Sequence, residues 1–485
     1  VQSSEFREVD EVQGAEFREV DVAIVGGGIS GLALGWRLRQ VAPELRFVLL
    51  EGDSRTGGKL LSERVRTGEG EFLIEAGPDS LLTQKREGLQ LIEELGMSDQ
   101  LIPIAQGMPT AILHRGKPET MPAGMRLIVP TDLGAFMRSP LMSMPGKLRA
   151  RLDEVLPARK ETSDESIASF VRRRFGSEMV ERLAEPILAG IHNGDPERLS
   201  LRATFPQLEQ LEQKHRSLIR GMRSMPASSG GAPFITLRDG MESLASGLVS
   251  RLKDVIRTDS AVDSIIQNTN RYLLRLKTGE VISSRQVVLT TSTAIASELS
   301  REIAPEISQS LARFETNHAG SISLAVRTSA ITKPLPGYGL VIPRVERRSI
   351  NAITIASLKF AERAPEGWTL LRLFFGGARS PHTMNLDDTA LLNVVRQELR
   401  ELLGVSEAPH FWRITRWPAG NPQYQVGHVE RVEAIARLLP GGLFLLGSAY
   451  RGVGISDLIR AANGVAGSIA GSSSATLRPQ VETRG

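Results

Sequence analysis

Two periods of apolar residues organise the chain. Val22 to Val25 run unbroken and end in three glycines, after which Ile29, Leu32, Leu34, Trp36 and Leu38 follow a helix-like pattern up to a second apolar run, RFVLLE at 46–51. Short apolar runs bounded by glycine predict strands buried on both faces, so the opening reads strand, turn, helix, strand. In GPDSLLTQKREGLQLIEELGMSDQL, Leu89, Ile92 and Leu95 recur at helical spacing and Gly96 supplies a stop. From about 126 to 220 the pattern is mainly helical, with Ile167, Phe170, Val171, Phe175, Met179, Val180 and Leu183 as its apolar positions. Strands return in two clusters. AVDSIIQ, RYLLRLKTG and QVVLTTS, within 261–292, predict a small meander attached to the first unit; SISLAVRT, GLVIPRV, NAITIAS and TLLRLFFGG, within 321–377, predict a larger antiparallel sheet. DTALLNVVRQELRELLG predicts an amphipathic helix, and GLFLLG at 442–447 a last strand. SAYRGVG then leads into a closing helix whose Ile455, Leu458, Ile459, Ala462, Val465, Ala466 and Ile469 share one face.

At 485 residues the chain is long for one core, which predicts two or three units. Lys and Arg total 59 against 55 Asp and Glu, a balance with no nucleic-acid footprint. The absence of cysteine excludes disulfides, cysteine-ligated zinc, iron–sulfur clusters and a cysteinyl-linked flavin. The seven histidines lack metal spacing, so no metal site is expected and each reads as structural or surface. No apolar run reaches the roughly 18 residues of a spanning helix, and the first twenty residues are too charged for a secretory signal. EFREVD occurs at 5–10 and again at 16–21, and residues 1–18 read as a tail.

Gly26, Gly28 and Gly31 fit G-x-G-x-x-G directly after a strand: the first permits the turn, the second lets backbone approach a pyrophosphate, the third lets helix pack on strand. The helix N-terminus then meets the phosphates with its positive end. Glu51, at the end of the second strand, is placed to accept hydrogen bonds from ribose hydroxyls. The plain alternative is a tight turn before a buried helix. A second glycine pair with a cation in GDSRTGGKL, followed by EAGPDS at 75–80, suits FAD rather than NAD. Lys59 there either neutralises phosphate or contacts the flavin, or is a solvated surface charge. At the far end Gly447 follows a strand, while Gly452 and Gly454 precede a helix whose dipole, aimed at the flavin N1–C2=O2 edge, would stabilise the anionic reduced ring. Both chain ends thus predict one non-covalent FAD site.

VAIVGGGISGL together with LLEGDSRTGGK resembles the flavin monoamine oxidase/phytoene desaturase superfamily. AGIHNGDPERLSLRATFPQLEQLE (189–212), RWPAGNPQYQVGH (416–428) and AYRGVGISDLIRAANGVA (449–466) narrow the resemblance to its bacterial-type protoporphyrinogen/coproporphyrinogen oxidase family, over about residues 21–471. It implies an α/β fold: a Rossmann-like FAD-binding domain of the two-dinucleotide-binding, amine-oxidase type, an antiparallel-sheet substrate domain and a helical, membrane-facing domain. The implied ranges are 19–107, 238–310 and 440–472 for FAD, 108–125, 221–237 and 311–439 for substrate, 126–220 for the helices, and 473–485 for a C-terminal tail.

The resemblance also implies that Gly26, Gly27, Gly28, Ile29, Ser30, Gly31, Glu51, Gly58, Lys59, Ala76, Gly77, Pro78, Asp79, Val262, Trp417, Gly447, Val453, Gly454 and Ile455 line FAD. Val341, Thr354 and Phe374 would form apolar walls for a tetrapyrrole. Where plant and animal members place an arginine for a substrate propionate, this chain has Thr110, so carboxylate recognition falls to another cation, Arg115 being the candidate. Arg216, Asp239 and Gly420–Asn421 are further departures. The implied reaction is oxidation of protoporphyrinogen IX in haem or chlorophyll synthesis, by hydride transfer to flavin with dioxygen as acceptor and no catalytic acid or base. The alternatives are coproporphyrinogen III oxidation, amine oxidation and a non-catalytic flavin or porphyrin scaffold. Residues 121–152 mix Met, Leu, Ile and Phe with Lys and Arg, which suits either a face lying on an anionic bilayer or a core segment with a basic edge. A cytoplasmic, peripheral location is expected, with an organelle and a homodimer left open.

Overall fold

The computed structural model describes residues 18–226 and 232–471. Arg18–Val25 lies between Phe47–Leu50 and Val281–Leu289, parallel to both, as the unbroken apolar run requires. The strand begins inside the segment expected to be tail: Val20 is buried and pairs with Ser284, so the second EFREVD copy is partly sheet. The first copy and the C-terminal tail lie outside the described residues. Ile256–Arg257 extends the sheet beyond Phe47–Leu50. Val281–Leu289 has two uses. Its first half closes the antiparallel meander with Arg271–Leu276 and Val262–Asn268, and its second half pairs in parallel with Leu443–Leu445. Val22 and Ile24 enter a core shared with the helices Ile29–Val41, Glu242–Leu252 and Ile455–Gly471, while Ala23 and Val25 enter the core on the other face.

A second sheet runs Phe411–Pro422, Thr316–Arg327, Trp368–Gly376, Ala352–Ile355, Gly339–Val341, Thr110–His114, Lys117–Thr120. Every pairing is antiparallel except that of Gly339–Val341 with Thr110–His114. The amphipathic helix Asp388–Leu403 covers one face through Leu391, Val395 and Leu399.

The expected apolar positions of the helical block are all buried in one further core. Helix Ile167–Phe175 ends at Gly176, φ +96°. Val180–Ala189 then winds as a π-helix with Pro186, which has no N–H to donate, inside it. Arg174 and Asp153, both fully buried, bond at 2.6 Å, and Asp153 also accepts from Ser217 Oγ and the Ile219 N–H. Met121, Met125 and Met222 pack on this helical core, as do Ile112 and Val341 of the second sheet, so the two units share it. No helix among the described residues is long and apolar enough to cross a membrane.

Candidate cofactor and substrate site

The glycine turn is dictated by space. Gly26 sits at φ +111°, and a Cβ on Gly31 would lie 2.1 Å from the Gly26 carbonyl oxygen. Thr290, at the end of the neighbouring strand, donates its hydroxyl to that same carbonyl at 2.7 Å. Helix Ile29–Val41 has neither a capping side chain nor an acid in its first turn. Among the described residues the N–H groups of Gly28, Ser30 and Gly31 meet no acceptor, and an anion is what such an end lacks. Glu51 supports the turn as well as facing outward: its carboxylate accepts from the Gly27 N–H at 2.7 Å and from the Asp53 N–H at 3.0 Å. The second glycine pair lies on the first, with the Gly57 N–H donating to the Gly27 carbonyl and Gly58 packed on the Gly28 Cα. Ser260 and Ala261 cover the Glu51–Gly52 backbone. Val262, one residue on, pairs with Leu276 and packs its side chain on the meander core, which leaves its backbone beside the Glu51–Gly52 turn.

The EAGPDS segment forms a second wall. Gly77 crosses the Lys59 backbone so closely that a Cβ would fall 1.8 Å from the Lys59 carbonyl oxygen. Lys59 bonds the Gly420 carbonyl, and desolvation holds its ammonium below the ordinary lysine range. The Ala76 carbonyl accepts from Trp417 Nε1 at 2.9 Å and Arg372 Nη2 at 3.0 Å. Burial opposes ionisation of Asp79, but Lys359, ion-paired at 2.7 Å, and Arg372 outweigh it and hold the carboxyl at about 2. Arg372 is buried 4.8 Å from the Phe374 ring, and its Nε has no acceptor among the described residues. Burial pushes Glu75 up to about 7 against hydrogen bonds from Ser62 Oγ and the Met241 N–H.

Strand register collects the four expected substrate residues. Thr354 pairs with Arg372 and Gly339, and Gly339 with Thr110. In the next row Ala352 pairs with Phe374 and Val341, and Val341 with Ile112. Leu340, Ile353, Ile355, Leu371 and Leu373 alternate with these and fill the core on the other face. Thr110, Val341, Thr354 and Phe374 therefore share the sheet face that the helix Asp388–Leu403 leaves uncovered. Arg115 is exposed at the turn before Lys117–Thr120, beyond these rows, with its N–H on Glu346.

The profile of the flavin-containing amine oxidoreductases matches residues 29–470. The chain belongs to that family. It is an FAD-dependent oxidoreductase. The chain is 34% identical to a coproporphyrinogen III oxidase of Bacillus subtilis, over 90% of this chain and 95% of the relative. To a chloroplastic protoporphyrinogen oxidase of Nicotiana tabacum it is 30% identical, over 95% and 87% respectively. The solved structure of a protein named as a candidate protoporphyrinogen oxidase from Exiguobacterium sp. 255-15 superposes with a TM-score of 0.83 at 30% identity, covering 94% of this chain and 99% of that one.

The FAD oxidoreductase fold explains the free donors: the uncapped first helix suits the pyrophosphate, and the closing helix offers a second set. Gly447 (φ +147°) and Gly452 (φ +115°) bound its entry loop, and the N–H groups of Val453, Gly454 and Ile455 meet no acceptor among the described residues. Sequence reasoning missed Lys359, at the end of the short helix Ala356–Lys359, and Arg372, within the strand Trp368–Gly376, neither of which carries a local signal, and Tyr424, which appeared only as part of a motif.

Proposed function

We propose that this oxidoreductase converts protoporphyrinogen IX to protoporphyrin IX. FAD, when bound, would supply the electron chemistry: acceptance of three hydrides, six electrons in all, with three protons released and three dioxygen molecules reduced to peroxide. The pyrrole rings flanking each saturated bridge carbon help hydride loss, so the protein's task is to orient and to exclude water. Gly26 to Gly31, Glu51 and Gly58 hold the nucleotide half, while Lys59, Ala76 to Asp79, Trp417 and Val453 to Ile455 border the flavin.

One observation carries the substrate reading: beside the Ala76–Asp79 wall the sheet face away from the Asp388–Leu403 helix carries the half-buried Val341, Ala352 and Phe374 in a single uncharged row, closed at one end by Ile112, which is buried in the helical core. A broad apolar macrocycle fits such a row better than a small amine does. Of the nearby cations, Arg379 is held by the Ile342 carbonyl and by Glu185 at 3.3 Å, while Arg372 bonds the Ala76 carbonyl and keeps its Nε without an acceptor among the described residues. Coproporphyrinogen III, with four propionates, is the second reading, favoured by the name of the Bacillus relative. Peripheral membrane contact is part of the proposal. Phe136, Leu141 and Met142 are core, but Met144, Leu148, Leu152 and Val155 form an exposed stripe beside the exposed Arg138, Arg151 and Lys160.

The test is anaerobic mixing of yellow protein with each porphyrinogen, followed by oxygen and porphyrin fluorescence. Bleaching and porphyrin release with protoporphyrinogen, at a higher kcat/KM than with coproporphyrinogen, are expected. The reverse ranking moves the assignment to coproporphyrinogen, and bleaching by polyamines alone overturns both.

A further inference from the structure

Tyr424 lies at the end of RWPAGNPQY, outside the expected cofactor contacts, yet it is the best-anchored aromatic side chain near the closing helix. It is 1% exposed. Its hydroxyl donates to the Ser448 carbonyl at 2.6 Å and accepts from the Gly452 N–H at 2.8 Å. Its ring stacks on His428, centroids 4.0 Å apart and 14° between planes. His428, also 1% exposed, donates Nε2–H to the Tyr450 carbonyl at 3.0 Å. The stacked pair thus grips backbone groups of residues 448, 450 and 452 within the eight-residue loop Gly447–Gly454.

The gripped residues lie within a loop whose Gly447, Gly452 and Gly454 make it pliable, and Gly452 is itself one of them. Gly452 lies at φ +115°, and a Cβ there would fall 2.6 Å from the Asp457 Cβ, so the position is closed to other residues and free to rotate without an external hold. The next three N–H groups, of Val453, Gly454 and Ile455, are those without an acceptor. A helix end aimed by three buried hydrogen bonds directs its donors at one point; the same end on an untethered glycine loop does not.

We infer that Tyr424 and His428 are positioning residues that fix the Gly447–Gly454 loop, so that the closing helix presents its free N–H groups to the flavin and stabilises its reduced form. The pair acts through Gly452 and touches neither substrate nor reacting atoms. The inference rests on the proposed placement of Val453 to Ile455 at the flavin, not on which substrate is oxidised.

Tyr450 supplies the control. Its hydroxyl is buried in the same aromatic group but has no hydrogen-bond partner among the described residues. Tyr450→Phe removes a neighbouring hydroxyl without touching the loop's tethers. The experiment measures the midpoint potential of purified holoenzyme against a reference dye, without porphyrinogen. Tyr424→Phe is expected to shift the ratio of reduced to oxidised flavin affinity at least tenfold toward the oxidised form, about 30 mV more negative for a two-electron couple. Tyr450→Phe should leave the potential at the wild-type value. Should Tyr424→Phe not accumulate as folded protein, His428→Leu and His428→Gln carry the test: the leucine lowers the potential, and the glutamine, which keeps a donor at the reach of Nε2, restores it. Yellow Tyr424→Phe protein with an unshifted potential, or an equal shift in Tyr450→Phe, overturns the inference and leaves the cofactor assignment standing. A wild-type protein that takes up no flavin refutes the cofactor reading instead.

Discussion

Glu75 offers a test of the site's electrostatics that needs no substrate. Its carboxylate is 6% exposed, holds the Met241 N–H at 2.8 Å and Ser62 Oγ at 2.7 Å, and directly precedes the Ala76 carbonyl that Arg372 and Trp417 share. Burial dominates these bonds and raises the carboxyl from 4.5 to about 7. For an acid whose folded value is raised, the fold bears no penalty below the unfolded value, where both states are protonated, and loses stability as pH rises from there through the folded value. At about 1.4 kcal/mol per pH unit the loss approaches 3 kcal/mol by pH 8. With an unfolding entropy of roughly 2.1 cal/mol/K per residue, that corresponds to about 3 °C in Tm for a chain of this size. Glu75→Gln removes the titration while its amide keeps an acceptor for Met241 and a donor for Ser62. The wild-type Tm should therefore fall about 3 °C further than the variant's between pH 5 and pH 8.5, followed by differential scanning fluorimetry at constant ionic strength. Parallel curves for the two proteins would show that Glu75 ionises as easily in the fold as outside it, and the account of this wall would be wrong.

Three other outcomes follow from the same structure. Gly31→Ala places a methyl group 2.1 Å from the Gly26 carbonyl oxygen, and the variant should elute colourless from desalting, with its 450 nm absorbance lost. Asp153→Ala leaves the Arg174 guanidinium fully buried with Glu212 as its remaining carboxylate, at 3.4 Å. Urea unfolding should show a loss of about 3–5 kcal/mol. Leu148→Glu puts a carboxylate in the exposed stripe, and co-sedimentation with vesicles rich in anionic lipid should fall several-fold while bleaching by porphyrinogen is retained.

How much of this was legible in the sequence depends on the range of the interactions. The cradle was legible because its requirements are local: the turn, the helix packing and the Glu51 carboxylate all act within one strand–helix–strand unit, and spacing encodes them directly. The large sheet was legible as a set of strands, since Leu371 and Leu373 alternate with Arg372 and Phe374. Its register was not, because pairing partners such as Thr354 and Arg372 are set by contacts across the sheet that leave no periodic trace. The same holds for Lys359 with Asp79, 280 positions apart. The bulge between Val262 and Ser264, which shifts the meander's register beside Glu51, likewise left no trace in the pattern. The strand at Arg18 was hidden by its charge, as Arg18 and Glu19 are exposed while Val20 is buried.

Parallel pairing explains why one cofactor site draws on both ends of the chain. Strands that run side by side in the same direction need long crossovers, so residues following their carboxyl ends become spatial neighbours while remaining distant in sequence. Gly26, Glu51, Thr290 and Gly447 each stand just beyond such an end. The hydrogen bonds of Gly27 with Glu51 and of Thr290 with Gly26 join three of them directly. The second sheet lies in excursions that leave and rejoin this arrangement, so its open face comes to lie against the Ala76–Asp79 wall through Arg372 and Trp417. The proposed substrate positions Thr110, Val341, Thr354 and Phe374 all lie on strands of the excursions, apart from the glycine turns at the ends of the parallel strands. The closing loop is coupled in the same way: it belongs to the cofactor unit but is held by Tyr424 of an excursion, as Ala76 is by Arg372 and Trp417, so movement of the substrate sheet has a route to this loop as well as to the Ala76–Asp79 wall.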